Sequence, residues 1–123
     1  MLTTIPDDVR PHTAVIAETN EWLIGAPLSP YAMFWWGAFT DWCTACDAAI
    51  FNDYAAKGVL IVFRPTTASF RWMLQPSTGE FRNGQNKRVS WRGFLMRHPE
   101  LAGALLERLA SLAEANSPEL TPL

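Results

Sequence analysis

The run Val59-Leu60-Ile61-Val62-Phe63 constrains this chain more than any other stretch. It is rich in β-branched residues and carries no polar position, so it reads as a central strand buried on both faces. Downstream, Phe70, Trp72 and Leu74 alternate with Arg71, Met73 and Gln75. That period of two predicts a neighbouring strand with the aromatic set facing in and the polar set facing out. Pro65-Thr66-Thr67-Ala68 forms the turn between them, and Pro76-Ser77-Thr78-Gly79 returns a short strand through Glu80-Phe81-Arg82 that ends at Asn83-Gly84. Upstream, Thr13–Glu18 and Glu21–Ala26 flank Thr19-Asn20 as a hairpin.

Helix signals surround these strands. Ser29 followed by Pro30 opens a short aromatic helix that ends at Gly37, and Trp35 and Trp36, adjacent on it, cannot both be central on one face. Thr44 with Asp47 three residues on resembles a capping box for a helix ending at Lys57, with Gly58 as its C-cap. Ser90 caps a short helix that stops at His98-Pro99, and Leu101, Leu105, Leu109 and Leu112 then recur at helical spacing. The expectation is a single α+β domain, a small antiparallel sheet packed by three to four helices, with residues 46–57 and 99–115 covering it. Residues 1–12 and 116–123 read as flexible ends.

A chain of 123 residues with 49% hydrophobic content has enough apolar surface for one real core. No apolar run approaches the ~18 residues of a membrane span, and the first residues lack the basic and apolar blocks of a secretory signal. The expected setting is the cytoplasm, with no membrane partner. Two cysteines cannot make a disulfide scaffold.

Those two cysteines, Cys43 and Cys46, stand three apart in Trp42-Cys43-Thr44-Ala45-Cys46. Near a helix N-terminus a thiol loses its proton more readily, so the pair is the candidate catalytic centre of a thiol-disulfide oxidoreductase. The phrase resembles the W-C-x-x-C motif of thioredoxin-like proteins. However, Pro65 follows Cys46 by only nineteen residues, which one helix and one strand already fill. Zinc would need Cys43, Cys46, His12 and His98 together, and the histidines lack the paired spacing of a zinc fingerprint. No phosphate-binding loop, zincin or nucleophile-elbow motif occurs, and the sequence calls for no metal or cofactor.

Charge is segregated along the chain. Residues 1–56 carry seven acids against Arg10 alone, and residues 57–99 carry eight bases against Glu80 alone. Arg64, Arg71, Arg82, Lys87, Arg88, Arg92 and Arg97 interleave with Phe70, Trp72, Phe81 and Trp91. This is the pattern from which a nucleic-acid surface is built when the rings face outward. As interface anchors the leading residues are Trp35, Trp36, Arg71, Arg88 and Arg92, since Trp and Arg dominate protein contacts.

A broader resemblance covers about residues 20–105. Trp42-Cys43-Thr44-Ala45, Phe51-Asn52-Asp53-Tyr54 and Gly58-Val59-Leu60-Ile61-Val62 resemble a W-C-T-A, F-x-x-Y, G-P-L-Y-V pattern of small phage and prophage proteins. Phe70-Arg71-Trp72-Met73-Leu74, Gly79-Glu80-Phe81, Asn86-Lys87-Arg88-Val89-Ser90 and His98-Pro99-Glu100-Leu101 continue it. The chain departs from it in having Gly37-Ala38-Phe39-Thr40 for G-K-G-T and Arg71-Trp72-Met73-Leu74 for Q-F-H-F, and Cys46 is not part of it. The resemblance implies a mobile-element protein that binds and inhibits a host protein or defence complex, in its sharpest form an anti-CRISPR-like inhibitor. A nucleic-acid-binding accessory protein and a homodimer are the remaining readings.

Overall fold

The computed structural model describes residues 2–115, with side chains through residue 106 and at Arg108. The sequence expectation for residues 116–123 lies outside the described residues. Five strands, β1 (Thr13–Glu18), β2 (Trp22–Pro27), β3 (Ile61–Pro65), β4 (Trp72–Gln75) and β5 (Glu80–Asn83), form one antiparallel sheet in chain order. The helices are α1 (Pro30–Trp36), α2 (Ala48–Ala55), α3 (Trp91–Arg97) and α4 (Glu100–Ala115). The α+β expectation holds, and β3 is the central strand. The strand starts two residues later than the apolar run, because Val59 is exposed and Leu60 already turns into the core.

Alternation along the strands divides the core into two layers. Leu23, Val62 and Met73 face one side, where they meet Ala32, Met33 and Trp36 of α1, Trp42, and Phe51 of α2. Trp22, Ile24, Phe63 and Phe81 face the other, against Phe94 of α3 and Leu101 of α4. That second layer is largely aromatic, with the Phe94 ring centred 4.8 Å from Trp72 and 5.0 Å from Phe81. Covering both faces explains why β3 contains no polar side chain before Arg64.

The expected orientation of β4 is corrected. Arg71, Met73 and Gln75, read as outward, are buried at 2%, 7% and 2% exposure, whereas Phe70, read as inward, is 66% exposed. Helix ends supply the reason. The last carbonyls of a helix have no partner within it, and Arg71 Nε donates to Trp36 O at the end of α1 (3.1 Å). Gln75 Nε2 donates to Tyr54 O near the end of α2 (2.8 Å) and to Gly58 O just beyond it (3.1 Å). Its Oε1 accepts from Thr78 Oγ1 (3.1 Å), so the buried amide is satisfied. Polar strand residues thus close the C-termini of two helices, and an alternation rule that assumes one wet face misassigns them.

Capping elsewhere follows the sequence in two cases and departs from it in one. Ser29 and Ser90 accept from the backbone N–H of Ala32 and Gly93. In α2, however, Asp47 rather than Thr44 is the N-cap, its Oδ1 accepting from Ala49 N (2.9 Å) and Ile50 N (3.1 Å). Cys43–Ala45 form a separate 3-10 turn, inside which Thr44 points inward with a buried hydroxyl that has no partner among the described residues. Two opposite outcomes are expected in urea denaturation. Asp47→Ala loses about 0.5–2 kcal/mol by leaving two helix donors open. Thr44→Val removes an unsatisfied buried hydroxyl at constant shape and gains about 1 kcal/mol.

The N-terminal stretch, expected to be free, is docked. Ile5 and Val9 are buried in the α1 layer, and Thr3 N donates to Thr66 O (2.9 Å). No helix among the described residues is long and apolar enough to cross a membrane.

Candidate binding site

The loop that follows α1 builds the most unusual surface. Gly37 closes the helix with its N–H on Met33 O (2.8 Å), and a Cβ there would lie 2.5 Å from that of Ala45. Thr40 Oγ1 donates back to Gly37 O (2.6 Å). Asp41 N then donates to Gly84 O (2.8 Å) and Trp42 Nε1 to Asn83 O (2.7 Å), pinning the loop on the turn that leaves β5. Asn83 organises that turn through its Oδ1, which accepts from Gln85 N and Lys87 N. Between the pinned points stands Phe39, 96% exposed, with φ 65°. The loop is therefore anchored at both sides of a residue that is strained and unburied.

Phe39 lines a groove of about 440 Å³ together with Thr40, Asp41, Phe70, Arg71 and Asn83. Phe70 leans on Trp72, ring centres 6.1 Å apart, and leaves most of its own surface open. Two exposed phenylalanines thus share one groove with polar side chains. Burial holds the Arg71 guanidinium below its ordinary range, and its Nε and Nη1 are already bonded to Trp36 O and Ser69 O.

A second cavity, of about 270 Å³, opens between the 3-10 turn, α2 and the edge of the sheet. Its floor is Trp42, Leu60 and Met73, and Cys43, Glu80 and Arg82 stand around it. Glu80 is shared by Arg82 (3.6 Å) and Arg88 (2.8 Å), so one carboxylate faces two guanidiniums at this rim.

The residues singled out from sequence are scattered across the fold. Trp36 is completely buried, its Nε1 donating to Thr13 Oγ1 (3.0 Å), and offers no side-chain surface to a partner, while Arg71, buried as described, reaches the surface only where it lines the groove. Trp35 is half-buried with the Arg64 guanidinium 4.4 Å from its ring centre. Arg88 is exposed and paired with Glu80, and Arg92 is exposed on α3. The basic stretch does not converge. Arg64 and Arg71 lie under α1, Arg82 and Arg88 surround Glu80 beside β5, and Arg92 and Arg97 sit on α3. Of its four interleaved aromatics, Trp72, Phe81 and Trp91 pack inward.

Cys43 and Cys46 are free and exposed. They precede α2, whose first N–H groups are taken by Asp47. His12 stacks edge-on with Tyr31 beside α1, while His98 packs on Trp22 and Phe94 across the sheet. The cysteines and histidines are therefore not gathered into a four-ligand set, and no cluster of three metal-ligating side chains occurs among the described residues.

Phe39 is the residue that sequence reasoning missed. The one available signal was the departure from G-K-G-T, whose third position is glycine where this chain carries Phe39. Comparison with family models, curated proteins and solved structures finds no match to this chain.

Proposed function

We propose that this protein is a small mobile-element-encoded binding protein that inhibits a host protein by direct contact, an anti-defence inhibitor of the anti-CRISPR kind, and that the Phe39–Phe70 groove is its contact surface. The observation that carries the reading is Phe39. A left-handed conformation costs a non-glycine residue about 1–2 kcal/mol, and a phenylalanine 96% exposed recovers nothing from burial within its own fold. Aromatic side chains that stay exposed on a braced loop are the residue type that anchors interfaces. The occupant is a protein surface that offers an apolar pocket for each ring and a donor or acceptor to the polar side chains of the groove.

The test is recovery of the tagged protein from a lysate containing active defence complexes, followed by titration of the purified pair. A one-to-one complex that silences the defence activity and is lost with Phe39→Gly supports the reading. An unchanged affinity with both Phe39→Gly and Phe70→Ser removes it, and self-association through the groove would reassign the surface to a homodimer.

The thiol-disulfide reading rests on the exposure of both cysteines. Against it, the helix N-terminus is already satisfied by Asp47, which removes the donors that would stabilise a thiolate. Cys43→Ser is expected to leave the inhibitory contact intact.

A further inference from the structure

We propose that Arg64 and Arg71 form an oxyanion-binding site that holds one phosphate or carboxylate group beside α1, next to the Phe39 groove that Arg71 also lines. Register is the first argument. The pairs Val62↔Met73 and Phe63↔Trp72 continue to place Arg64 opposite Arg71 on neighbouring strands. Both side chains turn to the α1 face, where Arg64 lies over Trp35 and Arg71 bonds to Trp36 O. Like charges directly opposite each other destabilise a sheet, and this pair is sunk beneath a helix.

The second argument is unmet hydrogen bonding. Nε and Nη1 of Arg64 are buried without an acceptor, and neither arginine makes an ion pair among the described residues. Arg10 meets Glu18 and Arg82 and Arg88 share Glu80, whereas Arg92 and Arg97, also without an ion pair among the described residues, are exposed to water. Burial first, and then the charge of Arg71, push Arg64 down to about 10, which still leaves it charged at neutral pH. Two such cations with no carboxylate between them are completed by an anion. Guanidinium groups recognise the paired oxygens of phosphate and carboxylate, and the Trp35 ring fixes the plane of one of them. Arg64 is half-buried with its Nε and Nη1 closed to solvent, so the anion approaches its open side and binding requires the side chain to shift toward it.

Inorganic phosphate and acetate are the probes, with ionic strength held constant by sodium chloride. Phosphate is expected to raise the unfolding temperature saturably and to move the Nε–Hε resonances of Arg64 and Arg71 along one binding curve. Arg64→Gln should lose both effects, while Arg97→Gln, at an exposed position on α3, keeps them. Acetate acting on the same two resonances would identify an acidic side chain as an accepted source. A response to phosphate alone restricts the site to phosphoryl groups. An unchanged response in Arg64→Gln, or two resonances that do not move with either anion, overturns the proposal. Should Arg64→Gln fail to fold, the resonance titration of the unmodified protein decides by itself.

Discussion

Trp36→Ala is expected to lose about 3–5 kcal/mol of folding stability, the usual cost of truncating a large buried aromatic. Trp36 has no exposed surface and joins three parts of the chain. Its Nε1 donates to Thr13 Oγ1 on β1, and that hydroxyl donates to Val9 O in the N-terminal stretch (3.2 Å). Beneath the ring lies Gly25 of β2, where a Cβ would stand 2.6 Å from Cζ2. The glycine makes room for the indole, and the indole fills the space the glycine leaves, so truncation opens a cavity between α1 and the sheet. Domains of this size have about 0.05–0.15 kcal/mol of stability per residue, so the loss is a large share of the total. Trp36→Phe keeps most of the aromatic body and is expected to lose about 1–2 kcal/mol. Urea midpoints of the two variants, with an unchanged slope, check this. A Trp36→Ala protein as stable as its parent would mean that the residue is a surface contact after all.

The contrast between Trp36 and Phe39 explains how much could be read from sequence. Strands, caps and aromatic helices are local features, and Ser29, Pro30, Ser90 and the β3 run signal them through intrinsic preference and period. Which of two adjacent tryptophans is buried depends on Gly25, on a strand that pairs with β1 and β3 and reaches α1 only in the folded chain. The burial of Arg71 and Gln75 has the same origin. Their acceptors are the helix-terminal carbonyls of Trp36 and Tyr54, 35 and 21 residues away in sequence. A polar residue in a strand is read as exposed unless the reader knows which helix ends on it. Charge segregation along the chain likewise did not become a charged face, because Arg64 is covered by Trp35, Arg82 and Arg88 are held by Glu80, and Arg92 and Arg97 sit on α3 across the sheet. The candidate site was the least legible part, since neither the backbone angle of Phe39 nor the pinning of its loop by Gly84 and Asn83 has a sequence period.

Phe39→Gly should separate folding from binding, raising stability while weakening the complex. Glycine takes φ 65° without strain, which returns about 1–2 kcal/mol. The greater freedom of glycine in the unfolded chain offsets about 0.5–1 kcal/mol of this. A net gain of a few tenths to about 1 kcal/mol is expected, against a loss of about 2 kcal/mol or more in partner binding, roughly 30-fold in Kd. Phe39→Ala resolves the cause. It removes the ring and keeps a Cβ in the left-handed backbone, so it loses the binding and gains none of the stability. Chemical denaturation supplies one axis of the comparison and titration of the purified complex the other. If the ring is an incidental exposed side chain, both variants bind as the parent does, and the conformational cost at Phe39 has no return in recognition. If glycine alone restores stability while both variants lose the partner, the loop is strained because it presents the ring, and selection on contact has overridden selection on the fold at this position.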